Sequence, residues 1–347
     1  MKGGCPGSFR LSPFAFHLSP FTFYLFSFFS KTCKIARLPM RLIRYLNPEL
    51  DDRPACSVAV GNFDGLHRGH QALLDAACAG GGKLATAMMC FEPLPATFFR
   101  PQAPVPRLLN LRDRVGLARD YGLDLMFMLR FNVGFARQSP ERFVRDVLVR
   151  GANARRVVVG HDFRFGSRAA GDVTMLMKLA RRYDFELVCV DAVDDGDERI
   201  SSSRVREALA VGKLDVAAGL LGRPYAISGR VLRGNELGRQ LGFATVNLRP
   251  PIPPALHGVY SVRVSGAGLD HHPGVASIGL RPTVDGRDWL LEAHLFDYDG
   301  DLYGRHVRVE FVEFIRAERK FEDVDAMKRQ MIKDAEKARE TLDPARS

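Results

Sequence analysis

From Ser57 the chain reads as an apolar run, SVAVGNF. A turn pair, Asp64-Gly65, closes it, and HQALLDAACA follows with apolar positions at helical spacing. The alternation then repeats. Lys83–Phe91 predicts a strand, LRDRVGLARDYG a helix, LDLMFMLRF a strand, Pro140–Val149 a helix, ARRVVVG a short buried strand, MLMKLARRYD a helix and FELVCVDAV a strand. The proline-rich EPLPATFFRPQAPVP predicts a loop. Strands alternating with helices imply βαβ units and a parallel sheet. The expectation is an α/β doubly wound, Rossmann-like domain with its ligands at the carboxyl ends of the strands.

Around Val211–Pro224 the texture changes. GKLDVAAGLLGRPY gives a short helix and a Gly/Pro hinge, and beyond it the helical period disappears. YAISGRVLRG, GVYSVRVSG, GVASIGL, WLLEAHLFD and HVRVEFVEFI are short strands between turns, which predicts a small antiparallel β-barrel. A charged amphipathic helix from Asp323 to about Thr341 ends the chain. The boundary is expected near Leu221, dividing 40–221 from 222–347.

Composition agrees with two globular domains. The chain has 347 residues, 46% apolar and 26% charged. The formal charge of +10 is uneven, because Lys2, Arg10, Lys31, Lys34 and Arg37 stand in a stretch without acids. No block of adjacent Lys/Arg suggests nucleic acid, and a solvated basic surface accounts for most of the charge. Six cysteines without a C-x-x-C pair argue against a disulfide framework or a zinc site and fit a reducing cytoplasm. Leu11–Phe29 is apolar and carries a short repeat, LSPFAF then LSPFTF. Pro13 and Pro20 would interrupt a helix there, and no A-x-A-like cleavage site follows. Met40 opens MRLIRYLNPEL, which reads as an ordinary protein start, so 1–39 is expected to be a non-native or disordered extension.

The first chemical signal is Gly61-Asn62-Phe63-Asp64-Gly65-Leu66-His67-Arg68-Gly69-His70, at the end of the first strand and the start of a helix. Two histidines three apart share one helix face. The helix N-terminus supplies free N–H groups and positive dipole, and glycines admit an anion closely. Imidazoles placed there can donate to α- and β-phosphates as charge moves to pyrophosphate. The bland alternative is that His67 and His70 merely cap a helix. The pattern is not a G-x-x-x-x-G-K-[ST] loop. Ile200-Ser201-Ser202-Ser203-Arg204-Val205-Arg206 brings hydroxyls and two arginines to another helix start, either for phosphate oxygens or as an ordinary serine cap with surface arginines.

GNFDGLHRGH with ISSSRVREAL resembles the nucleotidylyltransferase superfamily. Within it, FEPLP at Phe91–Pro95 and GHDFRFG at Gly160–Gly166 resemble the FMN adenylyltransferase half of bacterial bifunctional riboflavin kinase/FAD synthetases. The resemblance spans roughly Met40 to Leu221. It implies that His67 and His70 contact ATP phosphates and that the Gly61–Asp64 turn and Gly69 belong to the nucleotide site. It further implies that Ser202, Ser203, Arg204 and Arg206 close over the triphosphate, that Pro93 and Pro95 sit near the flavin, and that Asp162 helps hold substrate. Ser203 stands where the family usually has threonine.

In the second half, Gly234-Asn235-Glu236-Leu237-Gly238-Arg239-Gln240-Leu241-Gly242-Phe243-Ala244-Thr245-Val246-Asn247 places three glycines in a loop able to pack against phosphates. Thr245 and Asn247 alternate along extended chain and so share a side, where they could hold Mg²⁺ and a phosphate. Glu292, inside WLLEAHLFD, is a candidate proton acceptor. The alternative is a barrel with turn glycines and a solvent-facing glutamate. GRQLGFATVN, SIGLRPTVDG and LEAHLFDYDGDLYG, with the tail helix, resemble a riboflavin kinase domain over about Arg223 to Arg339. This implies Gly238 and Gly242 at ATP, Thr245 and Asn247 at Mg-ATP, and Glu292 as base toward the ribityl 5′-hydroxyl. Ala244 replaces the family's usual proline, which removes a fixed φ and loosens the loop.

The expected activity is a Mg²⁺- and ATP-dependent enzyme. It phosphorylates riboflavin to FMN and adenylylates FMN to FAD, with small molecules as partners, neither nucleic acid nor membrane, as a monomer or weak homo-oligomer. Two alternatives stay open: adenylyl transfer alone with an impaired barrel, and a flavin- or nucleic-acid-binding protein on a retired enzyme fold.

Overall fold

The computed structural model describes residues 39–46, 53–80, 82–233, 245–283 and 286–343. The apolar repeat before Met40, and Gly238, Gly242 and Ala244, lie outside the described residues.

The first half forms β1 (Arg41–Ile43), β2 (Cys56–Val60), α1 (Arg68–Ala79), β3 (Ala85–Glu92), α2 (Pro95–Phe99), α3 (Leu111–Asp120), β4 (Leu125–Arg130), α4 (Val133–Ala136) and α5 (Pro140–Arg142). A π-helix at Phe143–Gly151 follows, then β5 (Ala154–Gly160), a 3₁₀ turn at Ser167–Ala169, α6 (Val173–Tyr183) and β6 (Glu186–Val190). A two-residue hairpin, β7 (Asp194–Asp195) and β8 (Glu198–Arg199), leads to α7 (Ser202–Ala210) and α8 (Leu214–Leu221). The sheet order is β1-β4-β3-β2-β5-β6, with every pairing parallel. Alternate strand residues feed two cores. Val58, Met89 and Phe127 pack toward the π-helix and α6, while Ala59, Met88 and Met126 pack toward α1 and α3. Burial on both faces explains why the strands read as unbroken apolar runs.

Three local features differ from the sequence expectation. MRLIRYL contributes β1, an edge strand beside β4. The proline-rich loop contains α2, with Pro95 in its first turn, where a missing N–H costs nothing. The helix expected at Pro140–Val149 turns π-helical after Arg142, with the Ala152 N–H reaching back to the Val147 carbonyl (2.8 Å).

The second half forms β9 (Ala226–Arg230), β10 (Thr245–Leu248), β11 (Gly258–Gly266), β12 (Leu269–Thr283), β13 (Gly286–Leu295), β14 (His306–Arg316) and α9 (Val324–Leu342). The order β10-β13-β12-β11-β14-β9 is antiparallel throughout. The sheet curls, and the Leu232 N–H donates to the Asn247 carbonyl (2.8 Å), bringing its two edges together. Its interior, with Tyr260, Val262, Ile278, Leu291 and Val309, is continuous with apolar residues of α7 and α8. The final helix starts at its N-cap Asp323, whose carboxylate accepts from the Ala326 N–H (2.6 Å).

Candidate functional sites

The parallel order reverses between β2 and β5, and their carboxyl ends open a crevice. At the end of β2 the chain makes a tight turn in which Phe63 (φ 49°), Gly65 (φ 89°) and Leu66 (φ 45°) are all left-handed. Phe63 and Leu66 are buried, so packing holds them in a conformation that side chains disfavour. Gly65 is required twice over, since a Cβ there would come within 2.8 Å of Leu108.

This turn delivers His67 to the N-cap of α1. His67 Nδ1 accepts from the His70 N–H (3.3 Å), and the two rings stack at 3.7 Å. Capping and ligand binding are therefore compatible. The cap occupies Nδ1, fixes the tautomer and leaves Nε2–H to donate. Burial pushes the His67 imidazole down to about 4, with Arg199, Arg206 and Arg223 reinforcing the effect. Burial likewise holds His70 well below its ordinary range, followed by His67 and the arginines Arg114 and Arg199. Both are neutral donors at pH 7, and the positive field comes from the arginines. His70 Nδ1 is buried without a protein partner. Gly69 lets the His67 ring lie close, since a Cβ there would stand 3.2 Å from it.

Two cavities share this crevice. One, of about 250 Å³, is lined by Gly61, Asn62, His67, Gly69, His70 and Asp162, with Arg199, Ser201 and Ser202 opposite. The other, of about 470 Å³, is lined by Phe91, Pro95, Phe99, Phe131, Phe135, Phe143, Phe163 and Phe165. Gly61, Asn62, Asp162 and Phe163 line both, so the polar and aromatic cavities meet there. Asp162 pairs with Arg199 (2.5 Å), and the hydrogen bond from that guanidinium holds its carboxyl below the usual range.

The remaining expected residues divide. Ser201 caps α7 by accepting from the Arg204 N–H (3.3 Å), and the Ser202 hydroxyl donates to the Asp64 carbonyl (2.8 Å). Ser203 is exposed. Asp64 is 1% exposed and pairs with Arg206 (2.6 Å), which also donates to the Pro106 carbonyl (2.7 Å). Arg204 engages Glu198 (3.0 Å) and the Glu198 carbonyl (2.7 Å). In this conformation Asp64, Arg204 and Arg206 brace the site, and none of them lines either cavity. Pro93 is exposed, while Pro95 lines the aromatic cavity. The loop carrying both is anchored at Glu92, which accepts from the fully buried Arg114 (3.1 Å) and from Arg107. Sequence reading missed Arg199, although it directly precedes the serine motif, and missed the phenylalanines, which are scattered over seventy-odd positions.

The second site lies on the face of the curled sheet opposite its core. Register places Thr245 beside His294, Asn247 beside Glu292, and Glu292 beside Ser277. A cavity of about 420 Å³ runs from this face to α9, lined by Thr245, Ser277, Arg281, Glu292 and His294 with Met327, Met331 and Asp334. Asn247 is 5% exposed, and its Oδ1 is buried without a protein partner. Glu292 contacts Arg281 (3.4 Å), which also pairs with Glu318 (2.7 Å). Arg316 grips Asp334 through Nε and Nη2 (3.0 and 2.7 Å), tying α9 to β14.

Comparison with known proteins matches both halves. A family model described as FAD synthetase matches residues 50–204, and one described as riboflavin kinase matches 221–342. The chain is 42% identical over 307 residues to the bifunctional riboflavin kinase/FMN adenylyltransferase of Escherichia coli K12, covering 87% of this chain and 97% of that one. The proteins of the same description from Pseudomonas fluorescens and Haemophilus influenzae are 39% and 38% identical, covering 99% and 98% of their lengths and 88% and 86% of this chain. A solved structure described as a macrolide-efflux protein from Streptococcus pneumoniae superposes with a TM-score of 0.74 at 31% identity, covering 87% of this chain and 99% of that one.

Proposed function

The chain belongs to the bacterial bifunctional riboflavin kinase/FMN adenylyltransferase (FAD synthetase) family, and from that premise we propose how its two sites divide the chemistry. Riboflavin and ATP give FMN and ADP at the curled sheet. FMN and a second ATP give FAD and pyrophosphate at the parallel sheet. We propose the division of labour near Leu221, a reading supported by the end of α8 there.

The observation that carries the adenylyl-transfer assignment is the meeting of the two cavities at Gly61, Asn62, Asp162 and Phe163. An aromatic chamber suits an isoalloxazine, and a polar chamber with helix N-termini suits a triphosphate. Their junction is where an FMN phosphate oxygen attacks the α-phosphorus. His67 and His70 donate to the phosphates as negative charge moves to the leaving pyrophosphate, with no covalent intermediate. Ser202, Ser203, Arg204 and Arg206 form the closing side. Arg204 would first have to leave Glu198.

At the second site Glu292 accepts the proton of the ribityl 5′-hydroxyl as its oxygen attacks the γ-phosphorus. Thr245 and the unpartnered Asn247 Oδ1 are hard oxygen donors fit for Mg²⁺. Mg²⁺ there would neutralise phosphate charge. Among the described residues no three His, Cys, Asp or Glu cluster around a metal position. Mg²⁺ characteristically takes few protein ligands and completes its shell with phosphates and water. Cys56, Cys90 and Cys189 are free thiols, in keeping with the reducing cytoplasm proposed as the setting.

The efflux description stays with the pneumococcal protein. Among the described residues no helix is long and apolar enough to cross a membrane. The test is chromatography of full-length protein with riboflavin, ATP and Mg²⁺. FMN followed by FAD is expected, and riboflavin left untouched by folded protein contradicts the kinase assignment.

A further inference from the structure

Between the two sheets the chain passes through Gly222-Arg223-Pro224, and Arg223 turns back toward the histidine turn. Its Nη2 donates to the Gly65 carbonyl (2.6 Å), and its Nη1 donates to the carbonyls of Leu66 and Leu221 (both 3.2 Å). Gln71, on α1, donates to the same Leu66 and Leu221 carbonyls (3.0 and 2.9 Å). Gly222, left-handed at φ 71°, ends α8 and sets this approach. Burial, reinforced by Arg308, pulls the Arg223 guanidinium down to about 10. A partly buried cation bonded to main-chain carbonyls is a costly arrangement, offset by charge-assisted hydrogen bonds.

The turn it grips needs such a hold. Phe63 and Leu66 are non-glycine residues in left-handed conformation, which persists only where surroundings over-determine it. Arg223 fixes the carbonyls of the last two residues before His67.

We infer that Arg223 is a positioning residue for adenylyl transfer, holding the Gly65 and Leu66 carbonyls from the junction of the two sheets and so setting where His67 and His70 meet the triphosphate. It lines neither cavity and acts through the turn. Its charge adds a second effect. His67 faces Arg199 from β8, Arg206 from α7, Arg223 from the junction and the stacked His70, while Asp162 and Asp191 line the same cavity. The three arginines favour the neutral ring. Arg223 also leads into β9, so one side chain joins the curled sheet to the histidine turn.

This rests on the assignment of His67 and His70 to the triphosphate. The test uses full-length Arg223→Met and Arg223→Lys, with riboflavin phosphorylation on the same samples as an internal control. In Arg223→Met, kcat for FAD formation from added FMN is expected to fall about tenfold or more, while phosphorylation stays within about twofold. Arg223→Lys keeps the charge but cannot fork across two carbonyls, so it recovers only part of that loss. Loss of the cation raises His67, so the acid limb of FAD formation moves to higher pH in Arg223→Met and stays in Arg223→Lys. If the methionine variant does not fold, the lysine variant carries the test, through a lowered kcat with an unmoved acid limb. Unchanged FAD formation in both variants, or both activities falling by the same factor, overturns the proposal. Full FAD formation by His67→Asn and His70→Asn overturns the histidine assignment itself, and this proposal with it.

Discussion

The two halves build their candidate sites in opposite ways. In the parallel sheet the site is an end: turns leaving β2, β5 and β6 converge where strand order reverses, and backbone turns and helix starts carry the polar groups. In the curled sheet the site is a face: Thr245, Asn247, Glu292 and Ser277 come from three strands, and register alone brings them together. An end site depends on the conformation of one short turn. A face site depends on strand pairing and on the helix that covers it. The first should fail abruptly when the turn is disturbed, the second more gradually.

The sharpest way to break that contrast is Asp64→Ala. It strands Arg206 and removes the acceptor for the Leu108 and Leu109 N–H groups (3.3 and 3.4 Å), at an expected cost of about 3–5 kcal/mol. Thermal unfolding should register this, with FAD formation lost before phosphorylation. Thr245→Val keeps the strand and removes one hydroxyl. The Mg²⁺ concentration for half-maximal phosphorylation should rise by about tenfold, with FAD formation from added FMN unaffected. Phe163→Ala opens the wall shared by the two cavities, and KM for FMN should rise about tenfold while KM for riboflavin at the other site stays fixed.

The smallest expected effect is on pH dependence. His67 sits at about 4 when folded against an ordinary 6.5, so the unfolded chain binds the extra proton between those values. Stability from this group is intact above about 6.5 and is lost as pH falls toward 4. Thermal midpoints should therefore fall between pH 6.5 and 4, and His67→Asn should flatten part of that slope.

Legibility in the sequence follows the same divide. The end site was readable because GNFDGLHRGH is contiguous, with its strand, turn and helix in order. What the motif concealed is the partnership of Asp64 with Arg206, separated by 142 positions, which ties the histidine turn to α7 in this conformation. The aromatic cavity was equally hidden, because Phe91, Phe131 and Phe163 meet only through the parallel register and the turn after β5. β1 was missed because three residues give no period to read, and its identity as a strand comes from pairing with β4, some eighty positions on. The π-helical segment keeps an apolar face at 143, 144, 147, 148 and 151, which an α-helical reading fits as well. In the curled sheet, strand existence was legible from turns and apolar runs. The facing of Asn247 and Glu292 was not, since a one-residue slip would reverse every side chain.

The most direct test of two independent sites on one chain compares Glu292→Gln and His70→Ala in full-length protein, with riboflavin, FMN, ATP and Mg²⁺ followed by chromatography. Glu292→Gln should lose about a hundredfold or more in FMN formation while converting added FMN to FAD at the normal rate. His70→Ala should accumulate FMN from riboflavin and lose about a hundredfold in FAD formation. Either substitution lowering both activities equally in folded protein would contradict the division of the two chemistries between the sheets.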